Sequence, residues 1–508
     1  MEPEVGRRQF LGATAASGAF TIVPRHVLGG QSFVAPSDKI TVGYVGCGTQ
    51  GLRELMTMLP IPDIQVVAVC DPVKDSNEYI EFSKGGVLKS IQTLLGKPSW
   101  RAGAPGAPGG RDVGKELTET YYAQSRAAEK FRGVSAYADF RELLAKEKDV
   151  SAVKVMTPDH LHATILIAAM KQAKHVIVHK PIANRLEEAR KVFEVARQSK
   201  VATYFMPYGR ASLDLVRTWI KDGAIGTLRE IHNWTDRPYW PQFAALPADR
   251  PPVPKDFDWD LWLGPSVDRP YHPNYTHTLF RGWYEFGGGS IADMGHYSLW
   301  PVFTAFNLPS PVTVESTGSF DYEVANLVSR RIRNDWSFPM ASSVRFKIPA
   351  HGEWPEIDLY WHDGGMKPPA PRELDEDSRQ LPSAGLLFVG DKGKILDGRI
   401  IPESKMKAYA GPQPPAPQGR GGAGRGQGQG QGQASAGPLA DWIKACRGGP
   451  QSPGNFLNAI PLTEAVNLHS VALRSGRKLQ YDPARMTVTN LADAGKYLTR
   501  EYRKGWEL

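Results

Sequence analysis

Lys39-Ile40-Thr41-Val42-Gly43-Tyr44-Val45-Gly46-Cys47-Gly48-Thr49-Gln50-Gly51 is the stretch that decides the fold. Residues 39–45 read as a short β-branched strand and residues 52–59 carry a helical pattern. Gly-x-Gly-x-x-Gly has a meaning in that setting, with a strand before it and a helix after it. Gly46 permits a tight turn, Gly48 lets a pyrophosphate approach the backbone, and Gly51 allows close helix–strand packing. The phosphates then lie at the helix N-terminus, against Thr49 and Gln50. A second strand, residues 64–70, ends at Asp71, about twenty residues past Gly51, where a carboxylate binds the ribose hydroxyls of NAD. The same carboxylate repels a 2′-phosphate, which favours NAD over NADP; the plainer reading is a strand-ending Asp before Pro72.

Further along, residues 152–156 form a strand that runs into Thr157-Pro158-Asp159-His160-Leu161-His162, followed by a helical pattern over residues 163–174. This loop belongs at the carboxyl edge of a parallel sheet, which puts Thr157, Pro158 and His162 at a cofactor site. His160 and His162 lack a third partner for a metal, so no metal is expected. The next strand, residues 176–178, ends in His179-Lys180-Pro181, where Pro181 turns Lys180 away from helical geometry. Helical patterns recur over residues 116–131, 137–146, 187–198, 213–222 and 462–475. Strands over residues 228–234, 312–320 and 340–348 suggest a second, mainly antiparallel sheet. Gly-Ala-Pro-Gly-Ala-Pro-Gly-Gly centres a segment, residues 83–118, that reads as a surface insertion without regular structure. The aromatic-rich residues 239–284 read as packing, with a platform for sugar rings as the alternative. Residues 411–438, mostly Gly, Gln, Pro and Ala, cannot bury a core and are expected to be disordered.

With 508 residues, two folded domains plus extras are expected. The 61 basic and 53 acidic residues are spread along the chain without a dense basic block, which argues against a nucleic-acid partner. Cys47, Cys70 and Cys446 make an odd number and no disulfide framework. Arg7-Arg8-Gln9-Phe10-Leu11 before a weakly apolar run resembles a bacterial twin-arginine export signal, too short and polar for a membrane span. The expected organisation is therefore an export signal over residues 1–35, recognised by the twin-arginine machinery and directing the protein to the periplasm. A doubly wound parallel domain follows over residues 36–181, and an α+β domain over residues 182–508.

Gly287-Gly288-Gly289-Ser290-Ile291-Ala292-Asp293-Met294-Gly295-His296-Tyr297 carries the remaining chemistry. If a helix starts at Ser290, Asp293 and Tyr297 are i, i+4 on one face with His296 at its flank. The order and spacing of the glycine turn, Thr157-Pro158-Asp159-x-x-His162, Lys180-Pro181, and Gly287-Gly288-Gly289-x-x-x-Asp293-x-Gly295-x-Tyr297 resemble the Gfo/Idh/MocA oxidoreductases. Leu386-Leu387-Phe388-Val389-Gly390-Asp391-Lys392-Gly393 fits that family too. The resemblance implies NAD-dependent oxidation of a secondary hydroxyl in a sugar, glycoside or polyol, with Lys180, Asp293 and Tyr297 as the catalytic residues. It also implies a homo-oligomer; His296, Arg281, Trp283 and Tyr208 are candidate substrate contacts. Where the family usually has Glu-Lys-Pro this chain has His179, and Asp159 stands where many members have Asn. Tyr297 is similar to the acid/base tyrosine of glucose-fructose oxidoreductase, where many members have His. A free phenol has a pKa of about 10, so Lys180 is expected beside Tyr297 to favour its phenolate. Two other readings stay open: tightly bound NAD recycled between sugars or in redox-assisted glycoside cleavage, and a non-catalytic nucleotide- or sugar-binding protein.

Overall fold

The computed structural model describes residues 34, 36–81, 83–127, 131–206, 212–240, 242–332, 334–413 and 437–508. The export signal expected over residues 1–35 (apart from Val34), Tyr208 and most of the Gly/Gln tract lie outside the described residues. Among the described residues no helix is long and apolar enough to cross a membrane.

β1 (Ile40–Val45) and β2 (Ile64–Cys70) flank the helix Thr49–Met58, as the sequence reading expects. β3 (Ser76–Tyr79) and β4 (Ala107–Gly109) form a separate two-stranded ribbon. With β5 (Ser135–Tyr137), β6 (Ala152–Val155), β7 (His175–Val178) and β8 (Thr203–Phe205), β1 and β2 build a six-stranded sheet in the order β5-β2-β1-β6-β7-β8. All its pairings are parallel. Chain order reverses between β1 and β6, so the loops after these strands diverge and leave a crevice at their carboxyl ends, the site where such sheets bind dinucleotides. The strands are apolar on both faces, as a sheet covered by helices on two sides requires.

Two expectations are corrected here. Residues 83–118 are not irregular: the helix Gly86–Leu95 occupies them, β4 crosses the Gly-Ala-Pro repeat, and the helix Arg111–Ser125 begins before their end. Val87, Ile91 and Leu95, one turn apart, bury into the core under β1 and β2 together with Trp100 and Ala107. The parallel domain does not close at residue 181 either, because β8 is its edge strand. After the Gly/Gln tract the chain returns to it with the helix Ala440–Cys446, whose Trp442 and Ile443 join the same core. Gly454 O accepts the amide of Phe205, and Thr203 Oγ1 accepts that of Phe456. A smaller difference lies at residues 137–146, where Tyr137 ends β5 and Asp139 caps a helix that starts only at Phe140, accepting the amide of Arg141.

The second sheet comprises β9 (Leu228–Trp234), β10 (Thr313–Gly318), β13 (Ser342–Ile348), β14 (Ile357–His362), β15 (Gly385–Gly390), β16 (Lys394–Leu396), β17 (Arg399–Ile401), β18 (Leu479–Asp482) and β19 (Thr487–Val488). β11 (Asp321–Ala325) and β12 (Val328–Ile332) form a projecting hairpin outside it. The nine strands run β17-β16-β15-β9-β14-β13-β10-β18-β19, antiparallel except for β9 with β14. One face packs on the helices His296–Phe306 and Ile460–Ser475 through Ile231, Phe346, Leu359 and Trp361. The first of these helices carries the Gly287–Tyr297 constellation to the mouth of the crevice. Near the C-terminus Arg500 is buried against Glu188 of the helix Leu186–Ser199 and within 3.3 Å of Glu285.

Candidate functional site

At the glycine turn the backbone geometry explains the residues. Gly46 sits at φ 104°, and a Cβ there would meet the Met156 carbonyl carbon at 2.5 Å. A Cβ on Gly51 would fall 2.1 Å from Gly46 O, so the helix Thr49–Met58 can start this close to β1 only with glycine there. Gly48 is the extended N-cap and offers no side chain, which leaves the first amides of the helix to a ligand. Asp71 closes the turn from below: its carboxylate accepts the amides of Cys47 at 2.7 Å and Val73 at 2.9 Å. Burial pushes its pKa up to about 6 against those two bonds.

The same crevice, about 2030 Å³, runs from Gly46, Gly48, Thr49, Gln50, Gly51 and Asp71 past Thr157 and Pro158 to His179, Lys180, Arg281, Asp293 and Tyr297. Lys180, placed by the end of β7, donates from Nζ to Asp293 Oδ1, and Arg281 Nε donates to the same oxygen at 3.0 Å. Burial raises the Asp293 pKa, but Lys180 and Arg281 outweigh it and hold the carboxyl well below its usual range. Burial pulls the Lys180 ammonium down, against the attraction of Asp293. Asp293 lies on a single π-helical turn, Ile291–Gly295, that leads into the helix His296–Phe306. That turn replaces the plain α-helix expected from Ser290, and both Asp293 and Tyr297 still face the crevice.

Lys180 lies beside Tyr297, as expected, but does not favour its phenolate. The Lys180 ammonium lies 5.2 Å from the centre of the Tyr297 ring, and the phenol oxygen instead meets His179 Nε2 at 3.1 Å. Burial, then Asp293, push the Tyr297 pKa well above 10, so the residue is a phenol and not a phenolate.

Three further expectations are corrected. His162 is walled off behind the crevice, its Nδ1 2.5 Å from Pro181 O and its Nε2 2.8 Å from Thr157 O, so it ties two crevice loops together without lining them. Burial takes its pKa down to about 4. His296 points away from the crevice into the core, bonded to Ala292 O and edge-on to Phe205. Trp283 stacks on Phe243, and its indole N–H goes to Asn274 O. Most of the aromatic loop is packing of this kind, although Trp262 and Tyr271 reach the crevice wall.

Residues 98–206 match the family profile described as "Oxidoreductase family, NAD-binding Rossmann fold", and residues 225–337 match that for "Oxidoreductase family, C-terminal alpha/beta domain". Both profiles are those of the Gfo/Idh/MocA oxidoreductases, to which the chain is similar over these residues. The first match begins downstream of the glycine turn. The chain is 29% identical over 124 residues to levoglucosan dehydrogenase of Pseudarthrobacter phenanthrenivorans, covering 23% of this chain and 32% of that enzyme. It is 33% identical over 129 residues to 1,5-anhydro-D-fructose reductase of Ensifer adhaerens, covering 25% and 38%. A glycosyl hydrolase family 109 protein of Streptomyces filamentosus is 28% identical over 205 residues, covering 37% and 34%. The chain thus spans about a third of the length of each of these curated relatives.

The fit of a dinucleotide to this crevice is supported by an unsatisfied group. Thr157 Oγ1 lines the crevice, buried and without a hydrogen-bond partner, and awaits a polar ligand atom. The sequence reading left two contributors out of its site. Asp159 accepts the amide of Gly288 at 3.0 Å and so fastens the glycine-rich loop to the carboxyl edge of β6. His179 was visible only as a departure from Glu-Lys-Pro, and its link to Tyr297 spans 118 positions.

Proposed function

We propose that this protein transfers a hydride between NAD and a secondary hydroxyl of a sugar, glycoside or polyol. The observation that carries the reading is that the glycine turn and the Lys180–Asp293 pair open onto one crevice. The helix N-terminus at Gly48 and the Asp71 carboxylate would hold the pyrophosphate and the adenosine ribose, and Thr157 the nicotinamide end. A carboxylate at Asp71 favours NAD over NADP. When bound, NAD supplies the hydride acceptor or donor.

The chain's own residues supply the remaining chemistry. Lys180, held by Asp293, presents a positive charge to the alkoxide that develops as the substrate loses its proton. Arg281, sharing that carboxylate oxygen, keeps Asp293 ionised and fixes the ammonium. Tyr297 provides a phenol for proton transfer, the arrangement resembling the tyrosine variant of the family. The sugar-directed names of two relatives support the substrate class, and the crevice has room for a substrate beside the dinucleotide.

The test is reduction of NAD, followed at the reduced-nicotinamide absorbance, across glycosides and polyols that include levoglucosan. Lys180→Met is expected to lower kcat by about 10²–10³ while leaving dinucleotide binding in place. Undiminished turnover in Lys180→Met and Tyr297→Phe would remove the assignment.

Similarity to a glycosyl hydrolase family 109 protein supports a second reading, in which NAD stays bound and is recycled during glycoside cleavage. Denaturing purified protein separates the two: stoichiometric NAD in the supernatant supports recycling, and its absence supports a dissociable cosubstrate. The paired arginines Arg7 and Arg8 support export by the twin-arginine route, which fractionation of an Arg7→Lys/Arg8→Lys variant would test.

A further inference from the structure

Lys180 and Asp293 leave one requirement of the proposed reaction unmet. An ammonium engaged with a carboxylate carries charge but no lone pair, so the proton of the substrate hydroxyl needs another acceptor. Tyr297 faces the crevice, and its oxygen lies 3.1 Å from His179 Nε2. His179 is nearly fully buried, and its amide is fixed to Val155 O at the end of β6. Lys180, Lys154, His162 and Arg281 all bear on its ring, and Lys154 is itself paired with buried Glu54 at 3.2 Å. Burial and the cations Lys180, Lys154 and Arg281 keep the imidazole neutral, so that one ring nitrogen carries a lone pair.

We propose that Tyr297 and His179 form a proton relay, in which the substrate hydroxyl proton passes to the Tyr297 oxygen as the phenolic proton passes to His179 Nε2. This rests on the reading of the site as an NAD-dependent alcohol oxidoreductase. The atoms balance: the carbinol hydrogen and its bonding pair would leave as hydride to the dinucleotide, the hydroxyl proton would replace the phenolic one on Tyr297, the phenolic proton would end on His179, and the carbon would become a carbonyl. In the reverse direction His179 returns the proton through Tyr297 to the carbonyl oxygen. The cations around His179 make its protonated form a strong acid, which suits the reductive direction and speeds loss of the proton to solvent after oxidation. His179 replaces a family glutamate and works here through Tyr297, so its role is that of a positioned proton acceptor one step behind the phenol.

The experiment has an arm that reads the hydrogen bond and an arm that reads turnover. In protein labelled with ¹⁵N-histidine, Nε2 of His179 is expected to be unprotonated from pH 6 to 8 and to change shift in Tyr297→Phe. An Nε2 that carries the proton at pH 7.5 overturns the relay whatever the kinetics show. For turnover, levoglucosan with NAD and 1,5-anhydro-D-fructose with NADH serve as probes. The oxidation rate is expected to lose activity through one acid limb well below the free-imidazole value of about 6.5. His179→Gln is expected to abolish that limb and lower kcat by about 10², with the Tyr297→Phe/His179→Gln double variant no slower than either single. Added imidazole is expected to restore part of the activity of His179→Ala, which a purely structural role would not allow. A His179→Gln enzyme within about threefold of the parent, with its acid limb intact, overturns the proposal. NADH binding without turnover of either probe counts against the oxidoreductase reading itself, and the ¹⁵N measurement then decides the relay alone.

Discussion

Asp293 takes two cations on one carboxylate oxygen, and that single atom organises the chemistry of the crevice. Replacing it with Asn would leave Lys180 and Arg281 close together and buried without a counter-charge. Asp293→Asn is therefore expected to lose about 3–5 kcal/mol of stability in a denaturant titration. The pH sign follows from its depressed pKa: the carboxylate's contribution is intact above the unfolded value of about 3.9 and is lost as pH falls below it. Gly51 offers a second residue-level test. A methyl group there has backbone, not a movable side chain, 2.1 Å away, so Gly51→Ala is expected to weaken NADH binding at least about tenfold as the turn shifts. Gly495, with nothing within 4 Å and a helical conformation, is the control, and Gly495→Ala is expected to leave the thermal midpoint unchanged or slightly raised. At this scale Gly46, Gly51 and Lys180–Pro181 were legible because short-range sterics decide them. The Tyr297–His179 contact was not, because a link across the domain boundary leaves no periodic trace.

Among the elements, β1, β2, β6 and β7 were read to within a residue or two, since β-branched runs are strong local signals, whereas the three-residue β5 was missed. The helix Gly86–Leu95 was missed because the Gly-Ala-Pro repeat beyond it dominated the composition, although Val87, Ile91 and Leu95 kept a four-residue spacing throughout. Ile91 is fully buried, so Ile91→Ala is expected to cost about 2–5 kcal/mol in a chemical denaturation, whereas an irregular surface insertion would lose almost nothing. The π-helical turn Ile291–Gly295 was illegible for a different reason. A wider turn of only five residues is too short to show in the apolar pattern, and Ile291 and Ala292 pack into the core from it. The hairpin of β11 and β12 shows Tyr322, Val324 and Leu327 to solvent at 65%, 74% and 98% exposure, and among the described residues no third strand pairs with it.

For the molecule as a whole, buried neutral histidines set the response to acid. Burial lowers His160, His296 and His469 to about 3 and His162, His277 and His362 to about 4. Each binds a proton in the unfolded chain below about pH 6.5 but not in the native state, and so removes up to about 1.4 kcal/mol per pH unit. Asp71, Asp159 and Asp363, raised to about 6 chiefly by burial, act in the opposite sense between pH 6 and 4, but they are fewer. The thermal midpoint is therefore expected to fall between pH 7 and pH 5 in scanning calorimetry, and a flat profile would show that these rings are hydrated. The two-domain plan was legible from the strand and glycine motifs, but its boundary was not, because the segment that completes the first domain arrives after more than two hundred intervening residues. Trp442 and Ile443 sit in the core under β1 and β2, while the chain between belongs to the other sheet. Swapping the nucleotide-binding half of this protein for that of a relative by one crossover near residue 206 would thus lodge a foreign indole in a cavity shaped for another. Functional chimaeras require paired breakpoints that carry the late helix along with the early strands, and lineages recombining at a single junction would leave no folded descendants.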